Sequence, residues 1–165
     1  MPAALPTLDD VNAAAARIAP YAFVTPLIEN AALNARMGKR VLLKLETLQR
    51  TGAFKFRGAC NRILMIPEAE RGRGIVAFSS GNHAQAVAAV AALFGMKATI
   101  VMPADAPRAK IAATRDFGAD VVLYDRARQS REEIAATIQA KTGATLVKPF
   151  DDPDVIAGQA TAGLE

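Results

Sequence analysis

Two segments of the chain carry side chains whose types and spacing can do chemistry. The first is Thr51-Gly52-Ala53-Phe54-Lys55-Phe56-Arg57-Gly58-Ala59. Its lysine sits between two phenylalanines, after a small turn and at the start of a predicted helix. Apolar flanks and the positive end of a helix both disfavour the ammonium form. A lysine with a lowered pKa is what a Schiff-base nucleophile requires. A lysine that only snorkels from the start of an amphipathic helix fits the same spacing. The second segment is Ser79-Ser80-Gly81-Asn82-His83-Ala84-Gln85, directly after an apolar strand and opening a helix. In open α/β sheets, ligands bind in the crevice at the carboxyl ends of the strands. Gly81 lets the backbone approach closely, and free N–H groups at a helix start suit a carboxylate or phosphate. Ser79, Ser80 and Asn82 add hydroxyl and amide partners. An ordinary cap, with Ser80 or Asn82 satisfying the first-turn N–H groups, explains these residues equally well.

Composition removes several other classes. His83 and Cys60 are the sole histidine and cysteine, so no metal centre built on soft ligands is expected. Cys60 alone excludes an intrachain disulfide and suits a reducing compartment. No G-x-G-x-x-G follows a strand and no Walker-type glycine loop is present, which disfavours a dinucleotide dehydrogenase or a nucleoside triphosphatase. Twenty Lys and Arg against sixteen Asp and Glu leave +4, with the signs interspersed. The densest basic cluster, Lys39-Arg40 and then Lys44, is too sparse for a nucleic-acid arm, so no nucleic-acid partner is expected. The N-terminus lacks the basic region of a secretory signal. The longest apolar run, Ala86 to Met96, is about half of the roughly 18 residues a membrane span needs. A soluble, cytoplasmic chain without membrane association is expected.

The elements that must position the two segments follow from punctuation and periodicity. Asp10 to Ala19, Asn30 to Met37 and Arg57 to Ile66 read as helices. Val24 to Leu27 is extended before and through Pro26, and Val41 to Glu46 is the one strand expected in this third. From Gly74 the rhythm changes. Ile75 to Phe78, Ala98 to Met102, Asp120 to Tyr124 and Thr145 to Val147 read as strands. Helices Ala84 to Phe94, Ala106 to Phe117 and Ser130 to Thr142 lie between them, closed by Gly95, Gly118 and Gly143. This alternation predicts an α/β fold: a small domain over 74–150 with a four-stranded parallel sheet flanked by helices. Residues 1–73 and 151–165 are expected to form the incomplete part of a larger α/β domain. A last helix begins at Val155 and runs to Glu165 without a cap, so the chain is expected to be a truncated part of a longer protein.

In order and spacing, the two segments resemble those of the threonine/serine dehydratase and serine racemase family. These are fold-type II pyridoxal-phosphate enzymes, related to the tryptophan synthase β subunit. Ala157-Gly158-Gln159-Ala160-Thr161 resembles a third segment of the family. Ala53 and Ala160 stand where the family more often has serine and glycine, and neither change removes a reactive group. The resemblance implies that Lys55 bonds the cofactor pyridoxal 5'-phosphate and later acts as base on the substrate Cα proton. Phe54 would line the cofactor ring and Asn82 would hydrogen-bond its 3' oxygen. Ser79, Ser80, Gly81, Asn82 and His83 would hold the substrate carboxylate. Ser80 would face the substrate from the side opposite Lys55, as the second acid/base of a racemase. No metal ligand is implied within this chain.

The implied reaction is β-elimination of water from threonine or serine, giving a 2-oxo acid and ammonia. The alternatives are a serine racemase, a 3-hydroxyaspartate dehydratase, or a non-catalytic fragment that serves as a scaffold. The family's glycine-rich phosphate loop would lie beyond Glu165, so this piece alone is expected to be nearly inactive, and a homodimer is expected of the full-length protein. Arg131 opens the helix after the third strand of the sheet and could reach a second substrate carboxylate. A surface arginine paired with Glu132 or Glu133 explains it as well.

Overall fold

The computed structural model describes residues 5–165. Residues 1–4, which head the 1–73 segment and the stretch read for a leader, lie outside the described residues. Helix α1 (Leu8–Ile18) starts at a reciprocal cap: the Asp10 amide donates to the Thr7 hydroxyl and the Thr7 amide to the Asp10 carboxylate. Strand β1 (Leu27–Glu29) leads to α2 (Ala31–Met37), which Asn30 caps and Gly38 closes in the left-handed region at φ 62°. Strand β2 (Leu42–Lys44) returns antiparallel to β1, with Ile28 opposite Leu43. One strand was expected here and two are found. All three residues of β1 are exposed, so no in-out alternation marks it. After a short 3-10 turn (Glu46–Leu48) come α3 (Lys55–Leu64) and the single turn α4 (Glu68–Arg71).

The parallel sheet is built from β3 (Ile75–Phe78), β4 (Ala98–Pro103), β5 (Asp120–Tyr124) and β6 (Thr145–Leu146). Helices α5 (Asn82–Leu93), α6 (Arg108–Asp116) and α7 (Arg131–Thr142) connect them in turn. The spatial order is β5-β4-β3-β6, every neighbour pair is parallel, and the four strands start where the sequence placed them. Strand alternation divides the sheet's two faces. Ile75, Ala77, Ile100 and Met102 join a cluster with Val87 and Val90 of α5 and Phe56 and Ile63 of α3. Val76, Phe78, Val101 and Tyr124 turn to the other face and pack with Ala135 of α7. Every residue of β3 is buried, because helices cover both sides of it.

The chain closes with α8 (Pro153–Ala160) and a 3-10 turn (Thr161–Gly163) rather than one helix from Val155 to Glu165. Asp152 accepts the amides of Asp154 and Val155, and Pro153 takes the first position, where its missing N–H leaves nothing unsatisfied. The Thr161 hydroxyl donates to the Gly158 carbonyl at 2.7 Å, at the point where the helix tightens. Helices α3 and α8 cross in contact at Gly58 and Gly158, and an added Cβ on Gly158 would stand 2.8 Å from the Gly58 Cα. The buried Arg57 is held there too, donating to Glu46 at 2.8 Å, to Glu165 at 2.6 Å and to the Phe23 carbonyl. Among the described residues, no helix is long and apolar enough to cross a membrane.

Candidate active site

Lys55 is the first residue of α3, two positions earlier than the helix expected from Arg57. A left-handed turn at Gly52 (φ 68°) brings the chain into it. The lysine amine donates to the Pro149 carbonyl at 2.8 Å and lies 3.5 Å from the Gln159 Oε1. Both partners are uncharged, and among the described residues the amine enters no salt bridge. Burial alone pulls its pKa below the ordinary lysine value. The direction matches the sequence reading, but the cause is different. Phe54 stays 42% exposed with its ring centroid 5.3 Å from the amine, while Phe56 is buried in the main core. One ring, the Pro149 backbone and Gln159 therefore enclose the amine, not two flanking rings.

The loop from Ser79 to His83 leaves the carboxyl end of the central strand β3. The Ser79 amide donates to Val101, and the Gly81 amide donates to the Ser79 hydroxyl at 3.3 Å. Gly81 is the N-cap of α5, and no side chain caps this helix. The first turn's intrahelical bonding begins with the Gln85 amide on the Gly81 carbonyl at 3.2 Å. The amides of Asn82, His83 and Ala84 precede it and lack helical partners. Neither Ser80 nor Asn82 acts as the cap, so that explanation of the segment does not hold.

Asn82 and His83 face different ways. The Asn82 Oδ1 accepts from the Lys110 amine at 2.7 Å. An ammonium only donates, so the Asn82 NH2 must turn away from it and present two donors. The His83 ring is buried, with Nε2 3.2 Å from the Val147 carbonyl. That carbonyl can only accept, so Nε2 carries the proton and the unpartnered Nδ1 is a bare acceptor. Burial pushes the imidazole's pKa down to about 4, with the hydrogen bond to Val147 opposing the shift and the nearby Lys55 charge adding to it. His83 thus contributes its backbone amide to the loop while its ring faces the sheet. One stretch of chain leaving β6 ties the two segments together, since Val147 holds His83 and Pro149 holds Lys55.

Arg131, the first residue of α7, donates to Glu132 at 2.7 Å and stacks its guanidinium 5.0 Å from the centroid of Phe78. The surface pairing with Glu132 is therefore present. The stacking also puts the guanidinium beside the residue that precedes Ser79. Phe78, Glu132, Lys148, Pro149, Phe150 and Asp151 line a shallow pocket at this end of the sheet. Sequence reasoning missed Lys110, the Pro149 carbonyl, Phe150 and Asp151. Asp151, at φ 53°, is the one non-glycine residue in the left-handed region among those described. A Pro-Phe-Asp-Asp-Pro stretch just after the last strand was the available signal.

Pyridoxal phosphate presents an aldehyde, a ring oxygen, a pyridine nitrogen and a phosphate. The residues fit the first two: a partly buried amine without an ionic partner, and an amide whose donors are turned outward. The buried Nε2 of Gln159, beside that amine, has no partner of its own. The chain belongs to the pyridoxal-phosphate dependent enzyme family, whose model matches residues 18–165. It is 52% identical to the L-threo-3-hydroxyaspartate ammonia-lyase of a Pseudomonas species over 98% of this chain and 50% of that one. It is 49% identical to the L-threonine ammonia-lyase of Thermotoga maritima, over 96% of this chain and 40% of that one. The solved structure of maize serine racemase superposes with a TM-score of 0.93 at 38% identity, covering 98% of this chain and 49% of that one. The chain spans about half the length of the curated relatives it matches.

Proposed function

We propose that this protein, working with pyridoxal phosphate, removes water from a hydroxy amino acid, threonine or serine, to give a 2-oxo acid and ammonia. The observation that carries this reading is Lys55: an amine withdrawn from water, hydrogen-bonded only to neutral groups, and linked by one strand exit to an uncapped helix N-terminus. When bound, the cofactor supplies the electron sink that makes loss of the Cα proton feasible. Lys55 would take that proton at Nζ. The Cβ–O bond would then break, the proton taken by Lys55 passing to the departing hydroxyl so that it leaves as water, and the released enamine would hydrolyse to oxo acid and ammonia.

The free amides of Asn82, His83 and Ala84, with Ser79, Ser80 and Gly81, would hold the substrate carboxylate at the positive end of α5. Phe54 would cover one side of the cofactor ring, and the Asn82 NH2 would donate to its oxygen. Ser80 would serve as the second acid/base if the protein also racemises serine. The two-unit division at about residues 74 and 150, a homodimer and a cytoplasmic location complete the reading. The main apolar cluster runs across that division, joining Ile18 and Phe56 to Ile75 and Val87. In the full-length protein, Lys55→Ala should abolish both the cofactor's visible absorbance and ammonia release. Normal turnover by that variant would remove Lys55 from the chemistry.

One observation favours a second substrate, 3-hydroxyaspartate. The Arg131 guanidinium is stacked on Phe78, the residue that leads into the same loop, from where it would reach a second carboxylate. A charge-assisted contact there is worth roughly 1.5–3 kcal/mol, or about 10- to 150-fold in specificity. Arg131→Ala should lower kcat/KM for 3-hydroxyaspartate by about that factor and leave threonine nearly unchanged. Equal losses on both substrates would leave Arg131 as a surface residue paired with Glu132.

A further inference from the structure

The segment from Ala157 to Thr161 stands out in the sequence, and the chemistry above uses none of its side chains. Gln159 lies in the middle of it, on α8, where that helix crosses α3. Lys55 and Gly58 are three residues apart and so share one face of α3. Gln159 lies across that face: its Oε1 is 3.5 Å from the Lys55 amine. A Cβ on Gly58 would stand 2.7 Å from the Gln159 Cγ and 2.8 Å from its Nε2. Glycine at 58 is thus what admits this glutamine. The amide's other end, Nε2, is buried and has no hydrogen-bond partner. An orphaned buried donor is costly unless a second state of the site uses it.

We infer that Gln159 is a positioning residue for Lys55, its amide holding the lysine amine at the start of α3 and serving both of its protonation states. The ammonium has three donors and no lone pair, so it takes Oε1. The free amine has a lone pair, and a half-turn of the amide offers it the Nε2 donor that is otherwise unpaired. The inference rests on Lys55 being the reactive amine of the proposed reaction. The remaining groups at this corner are the Pro149 carbonyl after β6, His83 from α5, held neutral by burial, and Asp152 ahead of α8, whose charge acts on His83. Among the described residues, Gln159 is therefore the one side-chain amide against the amine that can exchange acceptor for donor.

The test reads the amine directly. Full-length protein stripped of cofactor is reductively methylated with formaldehyde and cyanoborohydride across pH, and the Lys55 peptide is followed by mass spectrometry. Gln159→Glu should move the midpoint of Lys55 labelling up by about one pH unit, since a carboxylate favours the ammonium. Gln159→Met should move it down, since the charge-assisted bond the ammonium loses is stronger than the neutral bond the free amine loses. A residue that only fills space would leave the Gln159→Met midpoint at the wild-type value, although the new carboxylate of Gln159→Glu would still raise its own. Wild-type midpoints in both variants, with native melting, overturn the inference. If Gln159→Glu does not fold, an unchanged midpoint in Gln159→Met overturns it by itself. Borohydride trapping of added pyridoxal phosphate separates the two claims. Opposite midpoint shifts without capture at Lys55 in the wild type would sustain the role of Gln159 and defeat the proposed function.

Discussion

Gly158→Ala sets helix propensity against packing, and the sign of the result decides between them. Propensity alone predicts a gain of about 1 kcal/mol, because alanine in a helix interior loses less backbone entropy than glycine. The crossing with α3 predicts a loss. An alanine Cβ would stand 2.7 Å from the Arg57 carbonyl oxygen, 2.7 Å from the Asn61 Cβ and 2.8 Å from the Gly58 Cα. Comfortable contacts are nearer 3.5–4.0 Å, so the helices must part by about 1 Å. Two of the three obstacles are backbone atoms and the third is a Cβ fixed by its own backbone, so no rotamer change can move any of them aside. Overpacking of this kind costs about 1–3 kcal/mol. Parting the helices also weakens the bond from the Asn61 amide to the Asp154 carbonyl, 2.7 Å long and partly buried, worth about 1 kcal/mol. With the propensity gain subtracted, the net loss is about 1–3 kcal/mol. For a chain of this length, that lowers Tm by roughly 3–10 °C. Urea unfolding at constant slope should show the midpoint falling. A variant more stable than wild type would show that α3 and α8 do not cross in contact at Gly58 and Gly158.

Lys110→Met should release the Asn82 amide from its fixed orientation and weaken pyridoxal-phosphate binding about 3- to 10-fold by absorbance titration. The same substitution should have no further effect in an Asn82→Ala background. His83, the single histidine of this sequence, should show one protonated and one bare ring nitrogen by nitrogen NMR, staying neutral with the proton on Nε2 until the pH approaches about 4. The unfolded chain takes up that proton from about 6.5 downward, so this residue makes stability fall as the pH drops from about 6.5 to about 4. Burial opposes ionisation of Glu165, but hydrogen bonds from Arg57 and Lys44 outweigh it and hold the carboxyl at about 2 against an ordinary 4.5. Its stabilisation is complete above about 4.5 and is lost as pH falls through about 2, and Glu165→Gln should flatten acid unfolding in that window.

The sheet was legible because its physics is local. Ile75-Val76-Ala77-Phe78 is apolar at every position, which suits a strand covered on both faces and no other kind. Gly95, Gly118 and Gly143 all take positive φ, as expected of residues that stop a helix just before a strand. The errors fall where no local rule applies. Strand β1 exists only through its pairing with β2, and its three exposed residues carry no alternation to announce it. Helix α3 begins at Lys55 without any side-chain cap, so nothing short of the backbone's entry through Phe54 marks its start.

The two segments proposed as the site were legible as residue types and illegible in what surrounds them. Lysine and the serine-glycine-asparagine loop are recognisable because few residue types can do their chemistry. Their environment comes from chain 28 to 104 residues away: Lys110 on Asn82, Val147 on His83, Pro149 and Gln159 on Lys55. Two of those four contacts are backbone carbonyls, which every residue carries, so no sequence pattern reports them. Their placement depends on β6 lying beside β3, the strand that delivers the loop. A parallel strand added at that edge delivers its exit to the same end of the sheet as the neighbour's exit. The carbonyls of Val147 and Pro149 therefore arrive at the loop and the lysine through strand order. A substitution that loosens β6 from β3 should disturb the orientation of the His83 ring and the shielding of the Lys55 amine together, though neither residue is touched.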